Sequence, residues 1–413
     1  MQNAKCKMQN AECKIEKLKT EKPKIMKRLF TLALLLACAT SAFAIKITYG
    51  PYVQAVTKET VTIVWGTDKT AISWVETAPN DKMHFYAEER PKYFQTVLGR
   101  KLPTKLHTIT IPNPNTDGKT GFRYRAYSQE ITSNKGGRTM YGRVASTRIF
   151  AYRHIWVKTL DYNKASVNFI LMNDQHGNAE GVYNVLNKRV NRKKTDAVLF
   201  VGDMVASVDE KQMSVFRKVS GGVNNYPKYT ETPLHEVPMF MTRGVNESVG
   251  AIGMNYLSHF PTSSGKPYYT VRYGSTCFIV LDSGVDVKDK VAGTDFESYR
   301  KEQAAWLEKA LESEEVKGAK FKVALMHIPP IAGTAPVSKD LHSLFVPLLE
   351  KAGINLMICG YTHNTTMHEA SKKCSFPILE NGSATLLNIR ANNEKMVVAV
   401  ENFEGNEVAK YEF

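Results

Sequence analysis

Cysteine is scarce in this sequence, with six in 413 residues. Three of them, Cys6, Cys13 and Cys38, fall in the first 44 residues. The remaining three, Cys277, Cys359 and Cys374, are an odd number, which excludes a complete disulfide framework. Cys277 and Cys359 lie inside apolar runs and read as small core residues, while one bridge through Cys374 stays open. Long apolar runs are also missing. Leu29 to Ala37, interrupted by Thr31, is too short to span a bilayer. There is no internal repeat, no low-complexity linker and no collagen-like or coiled-coil bias. Hydrophobic residues at 43% and charged residues at 23% exclude wholesale disorder and a polytopic membrane protein. No long Lys/Arg run and no alternation of basic and aromatic residues is present, so a nucleic-acid partner has no sequence signal. Gly-x-Ser-x-Gly and His-Glu-x-x-His are absent too, which removes the usual signals of a serine α/β-hydrolase and of one class of zinc protease.

The length allows two to three domains, each with a buried core. The net charge is +15, of which the first 44 residues supply +6 and the rest +9. That mild, scattered surplus helps attract anionic substrates.

Residues 1–44 read as an upstream extension and a leader. Met26-Lys27-Arg28 opens a basic segment, an apolar stretch follows, and Ala42 and Ala44 end it in an A-x-A arrangement. This is the pattern of a secretory signal peptide cleaved after Ala44, so the mature chain is expected to be secreted or periplasmic, with no membrane span. Met26 is the expected initiator. Leu35-Leu36-Ala37-Cys38 offers an alternative, a lipoprotein anchored through Cys38.

Residues 45–150 have β texture. Val61–Trp65, Ile72–Val75 and His107–Ile111 alternate β-branched and aromatic residues, and Phe122–Tyr127 reads as a later strand. Turn signals at Pro79–Asp81 and Asn115–Gly118 separate them. Short strands so spaced predict an all-β sandwich of the immunoglobulin or fibronectin type. Gly137–Arg143 mimics half of a phosphate-binding loop but lacks its Lys-Ser/Thr, and reads as a hairpin turn. Trp65, Trp74 and Trp306 read as packing residues.

From residue 160 to 413 buried-type strands alternate with helical patterns, which predicts a layered α/β domain. The strands are Val167–Met172, Ala197–Val201, Val237–Met241, Cys277–Leu281, Phe321–Met326 and Leu356–Cys359. The helices are Ala179–Lys194, Arg300–Glu312 and Leu341–Ala352. The tail from Ala384 returns to β, with a turn at Asn402–Asn406.

The chemistry lies just after these strands. Asn173-Asp174-Gln175-His176, Gly202-Asp203, Arg243-Gly244-Val245-Asn246-Glu247, His327 and Gly360-Tyr361-Thr362-His363 each follow a strand end, where α/β sheets build ligand sites. Each piece alone is weak, but their ordered recurrence is strong. Carboxylates mixed with imidazoles suit Zn, Fe or Mn, the ions a phosphate-cleaving site uses.

In this order the motifs resemble the calcineurin-like metallophosphoesterases, whose pattern runs Asp-x-His, Gly-Asp, Gly-Asn-His-Asp/Glu, a lone His and Gly-His-x-His. Gly50-Pro51-Tyr52-Val53-Gln54 and Thr62–Trp65 look like the N-terminal domain of purple acid phosphatases. The tyrosine that colours those enzymes would stand three residues after Asp203, where this chain has Ala206, so a purple enzyme is not expected. The resemblance implies a divalent cation on Asp174, His176 and His363, with Asp203 bridging to a second, and a phosphorylated small molecule or other phosphoester as substrate. His327 would serve the second metal or contact phosphate, and Asn246 would lie near the substrate. Arg243, just before the third motif, reads either as a phosphate contact or as an ordinary surface ion pair.

The second metal is where this chain departs from the pattern. Its expected Asn is Val245, its expected His is Tyr361, and Asn246 replaces the proton-donating His. A one-residue shift could make Asn246 the amide ligand and place Glu247 near the proton donor. Alternatively the second site is lost or weakened, which is favoured because both changes fall on one metal. The function expected is metal-dependent phosphoester hydrolysis. The alternative is an impaired relative that binds an anionic ligand or a surface partner.

Overall fold

The computed structural model describes residues 44–114, 121–136, 138–147, 155–157, 159–206, 232–249, 253–286 and 294–413. The leader through Phe43 with Cys38, the turn at Asn115–Gly118 and Gly137 lie outside the described residues. Residues 46–413 cluster as one unit.

The N-terminal region is β-rich. Its backbone is the strand Thr60–Pro79, whose β-branched opening residues suit a pleated, buried ribbon. The first half pairs with Ile47–Gln54 on one side and Thr104–Pro112 on the other. The second half pairs with Lys92–Phe94 and Phe122–Lys135. The register slips between Gly66 and Ala71, where the strand changes partners. Trp65, on the first half, donates its indole N–H to Ser128 Oγ at 2.9 Å, across to a strand paired with the second half. Phe122–Lys135 and Arg138–Ser146 pair with Lys135 opposite Arg138, so the stretch read as a turn at Gly137–Arg143 is strand from Arg138 onward, because its residues pair with Phe122–Lys135.

The C-terminal part holds two six-stranded sheets. In the first, Met239–Thr242, Ala197–Val201 and Ser166–Met172 run parallel, and Thr385–Asn392, Met396–Asn402 and Glu407–Glu412 follow antiparallel. In the second, Thr276–Val280, Phe321–Leu325, Leu356–Cys359 and Ile378–Glu380 run parallel, flanked by antiparallel edges Tyr269–Tyr273 and Thr366–His368. The sheets meet through aromatic side chains. Phe169 packs edge-on against Phe278 with ring centres 4.8 Å apart, and Phe240 meets Tyr273 at 6.1 Å.

Strand alternation sends the other faces outward to helices. Ile170, Met172, Val198 and Phe200 cluster with Val182, Val185 and Leu186 of the helix Ala179–Arg189. Cys277, Ile279, Ala324, Met357 and Cys359 cluster with Leu307 of Phe296–Ala310 and with Leu341, Phe345 and Leu349 of Ser338–Lys351. Cys277, Cys359 and Cys374 are all free thiols, so the bridge left open at Cys374 does not form.

Two helix boundaries differ from expectation for local reasons. The first helix stops at Arg189 rather than Lys194, because Asn191 Oδ1 accepts from the N–H groups of Lys193 and Lys194 and closes a turn instead. The helix expected from Arg300 begins at Phe296, because Asp295 caps it by accepting from Ser298 N at 3.1 Å. No described helix is long and apolar enough to cross a membrane.

The N-terminal region packs on the outer face of the first sheet. Tyr49, Tyr52 and Val64 join the cluster that holds Tyr256 and Phe260. Tyr52 Oη donates to His259 O at 2.7 Å, and Tyr124 Oη to His235 O at 2.8 Å.

Candidate metal centre

The loops after five parallel strand ends converge on one point. Asp174, His176, Asp203, Tyr361 and His363 all hold positive φ, between 42° and 74°. Non-glycine residues avoid that region, so these loops carry local strain. Backbone bonds tie them together: Asp174 N donates to Gly202 O at 3.0 Å, His176 N to Asp203 O at 2.9 Å and Gly360 N to His327 O at 3.0 Å. Gly202 has φ +79°, and a Cβ there would strike the imidazole of His327. A Cβ on Gly244 would strike the carboxylate of Asp203.

Asp174 lies at the centre. Its Oδ2 accepts from Asn173 Nδ2 at 2.6 Å and from Tyr361 N at 2.9 Å. Its Oδ1 is buried and has no hydrogen-bond partner. Around that oxygen stand His363 Nε2 at 3.4 Å, His176 Nε2 at 3.8 Å and His327 Nε2 at 3.9 Å. His176 and His363 bring their Nε2 atoms to 3.1 Å of each other.

His327 is fully buried. Its Nδ1 meets Val201 O at 3.0 Å, which fixes the proton on Nδ1 and leaves Nε2 facing Asp203 Oδ1 at 3.4 Å without a hydrogen bond. Burial opposes its charged form, but the carboxylates of Asp203 and Asp174 push its pKa up to about 9. Burial likewise works against the Asp203 carboxylate, yet His327 and the Asn246 N–H hold its pKa below the usual value.

Two buried polar atoms without partners are costly, about 1–3 kcal/mol each. Here they face one another amid further nitrogen and oxygen donors. The donor sets are Asp174 with His176 and His363, and Asp174 with Asp203 and His327, each within 4.8 Å. Mixed carboxylate and imidazole donors fit a divalent cation of the Zn, Fe or Mn class.

Glu247 holds the Asp203 loop. It is fully buried, and its carboxylate accepts from the N–H groups of Asp203 at 2.8 Å, Met204 at 2.8 Å, Val205 at 3.2 Å and Gly244 at 2.9 Å. Burial and the nearby Asp203 charge push its pKa up to about 7. With its oxygens engaged by four amides, Glu247 does not fill the proton-donor place that the shifted reading gave it.

Asn246 places its side-chain amide 3.0 Å from His176 Nδ1. Val245 and Tyr361 both pack on the apolar cluster of the second sheet. The Tyr361 ring meets His327 edge-on at 5.8 Å, and its hydroxyl donates to Asp286 at 3.2 Å. Burial and Asp286 raise the Tyr361 pKa, which disfavours the phenolate that a metal ligand would need.

Arg243 stands behind the site. Its Nε donates to Asp282 Oδ2 at 2.8 Å, and Tyr256, Phe296 and Tyr299 rings surround the guanidinium. The ion pair is largely shielded, with the Asp282 carboxylate fully buried.

The sequence reading missed Asn381. This residue follows the short strand Ile378–Glu380, is fully buried, and clasps Asn173: Asn381 Nδ2 donates to Asn173 Oδ1 at 2.6 Å, and Asn173 Nδ2 returns to Asn381 O at 2.7 Å. The signal available was Asn-Gly after one more strand end.

Comparison with protein families matches residues 167–364 to the calcineurin-like phosphoesterase family. The matched stretch contains Asp174, His176, Asp203, His327 and His363, so the C-terminal part of this chain carries a calcineurin-like phosphoesterase domain. No curated protein matches the chain. Among solved structures, a conserved protein of Streptococcus pneumoniae described as a predicted phosphoesterase is similar, with 13% identity, 60% of this chain and 98% of that chain covered, and a TM-score of 0.32.

Proposed function

We propose that this protein is an exported metal-dependent phosphoesterase that holds one divalent cation firmly and a second weakly or not at all. The observation that carries this reading is the unpartnered Asp174 Oδ1, buried at the focus of three imidazole Nε2 atoms. Asp174, His176 and His363 would hold the cation, with Asp203 and His327 completing the donor set. A divalent cation bound there supplies Lewis acidity toward a phosphoryl oxygen and acidifies the attacking water.

The chain's own residues do the rest. Asn173 and Tyr361 N fix the Asp174 carboxylate through Oδ2 and leave Oδ1 free. Val201 O fixes the His327 tautomer. Glu247 and Asn246 N orient Asp203. The half-exposed His363 and His176 mark the open side by which an anionic ester would approach.

A weak second site is supported by one local pattern. The two altered positions, Val245 and Tyr361, both pack on the apolar cluster of the second sheet, and the Tyr361 ring meets His327. The same pattern favours a second reading, an impaired relative that retains an anion without turning it over.

Export rests on the Met26–Ala44 leader pattern. A sandwich like that of purple acid phosphatases is supported by the two sets of strands that share Thr60–Pro79 and by the Trp65–Ser128 bond between them.

The test is hydrolysis of an aryl phosphate by the purified chain with added Mn2+ or Zn2+. Turnover abolished in Asp203→Ala is the expected result. No turnover, with metal bound and phosphate retained, would establish the binding protein instead.

A further inference from the structure

We propose that Asn246 is a positioning residue that fixes His176 as a metal ligand, at the place where the family pattern puts a proton donor. This inference rests on the metal-site reading above. Asn246 opens the single helical turn Asn246–Ser248, which Glu247 pins to the Asp203 loop. Its backbone N–H donates to Asp203 Oδ1 at 2.8 Å. Its side-chain amide lies 3.0 Å from His176 Nδ1. One residue therefore braces a ligand from each donor set.

His176 needs that brace. Its side chain is 38% exposed, and its backbone is strained at φ +42°. The ring is held at one nitrogen by Asn246 and faces His363 with the other. An imidazole offers a lone pair from one nitrogen while the other carries the proton. For Nε2 to bind a cation, the proton must sit on Nδ1, and its partner must accept. A carboxamide can do so by presenting oxygen rather than nitrogen, since a half-turn interchanges the two. Partners of this kind typically change metal affinity 10–100-fold.

The experiment titrates Mn2+ and Co2+ into the full chain by calorimetry, for wild type, Asn246→Ala and Asn246→Asp. The visible spectrum of the Co2+ form and the melting temperature of the metal-free form are recorded alongside. Asn246→Ala is expected to weaken binding on the order of 10–100-fold and to alter the Co2+ spectrum. Asn246→Asp, which can only accept, is expected to restore both, with metal-free melting temperatures little changed. Wild-type affinity and spectrum in Asn246→Ala would overturn the positioning role while leaving the metal site standing. Equal losses in both variants, with lowered metal-free melting, would overturn it in favour of packing. A wild-type chain that binds neither cation would overturn the metal-site reading itself.

Discussion

Among the described residues, eight non-glycine positions have positive φ, and five of them carry or adjoin the proposed donors. Such strain costs on the order of 1–3 kcal/mol per residue, so the surroundings must hold these residues in place. Glu247 does this for Asp203. Glu247→Gln would set an NH2 group against two backbone N–H donors in a site with no exposure. Unfolding in urea should show a loss on the order of 3 kcal/mol, and metal binding should weaken with it. Gly244→Ala should act on the same carboxylate, because its methyl group would push Asp203 aside. Titration of Mn2+ is expected to show weaker binding together with lowered metal-free stability, because the same methyl group would also meet Asp203 N and Glu247 Oε2. At this scale the proposed donors were legible as candidates, because each Asp or His lies within four residues of the end of an apolar run. The supports were not. Glu247 reads in sequence as a candidate acid, and only its four amide partners show otherwise. Arg243 reads either as a phosphate contact or as a surface ion pair, and its partner Asp282 lies 39 residues further along the chain, just past a strand end.

The buried strands were visible in the sequence because burial on both faces writes an unbroken apolar run, as in Ala197–Val201. Helix ends were less visible, because side-chain caps at Asn191 and Asp295 set them rather than hydrophobic period. The strand Thr104–Pro112 carries a feature that the pattern conceals. His107 is buried beside Trp65, with Nε2 on Thr67 Oγ1 at 2.9 Å. Burial lowers its pKa to about 3, against an unfolded value near 6.5. The unfolded chain therefore binds the proton that the folded one refuses. The stability this group contributes is present above pH 6.5 and is lost as pH falls from there toward 3. His107→Gln should flatten that part of the stability curve, measured by thermal melting from pH 7 to pH 4. An unchanged slope would contradict the assignment.

At the scale of the molecule, the sequence separated a β-rich region from an α/β region but said nothing of how they meet. That contact depends on residues spaced far apart: Tyr52 with His259, Tyr124 with His235, and Val64 in the cluster of Tyr256 and Phe260. Tyr52→Phe and Tyr124→Phe each remove one buried hydrogen bond, and each should cost about 1 kcal/mol in chemical unfolding. The whole account turns on the convergence of five chain segments around Asp174 Oδ1. The most direct measurement is metal stoichiometry and affinity in the wild type and in Asp174→Asn. The account predicts one tightly held divalent cation per wild-type chain and its loss in Asp174→Asn, with the fold retained. A wild type that holds no cation, or an Asp174→Asn chain that binds as well as wild type, would contradict it.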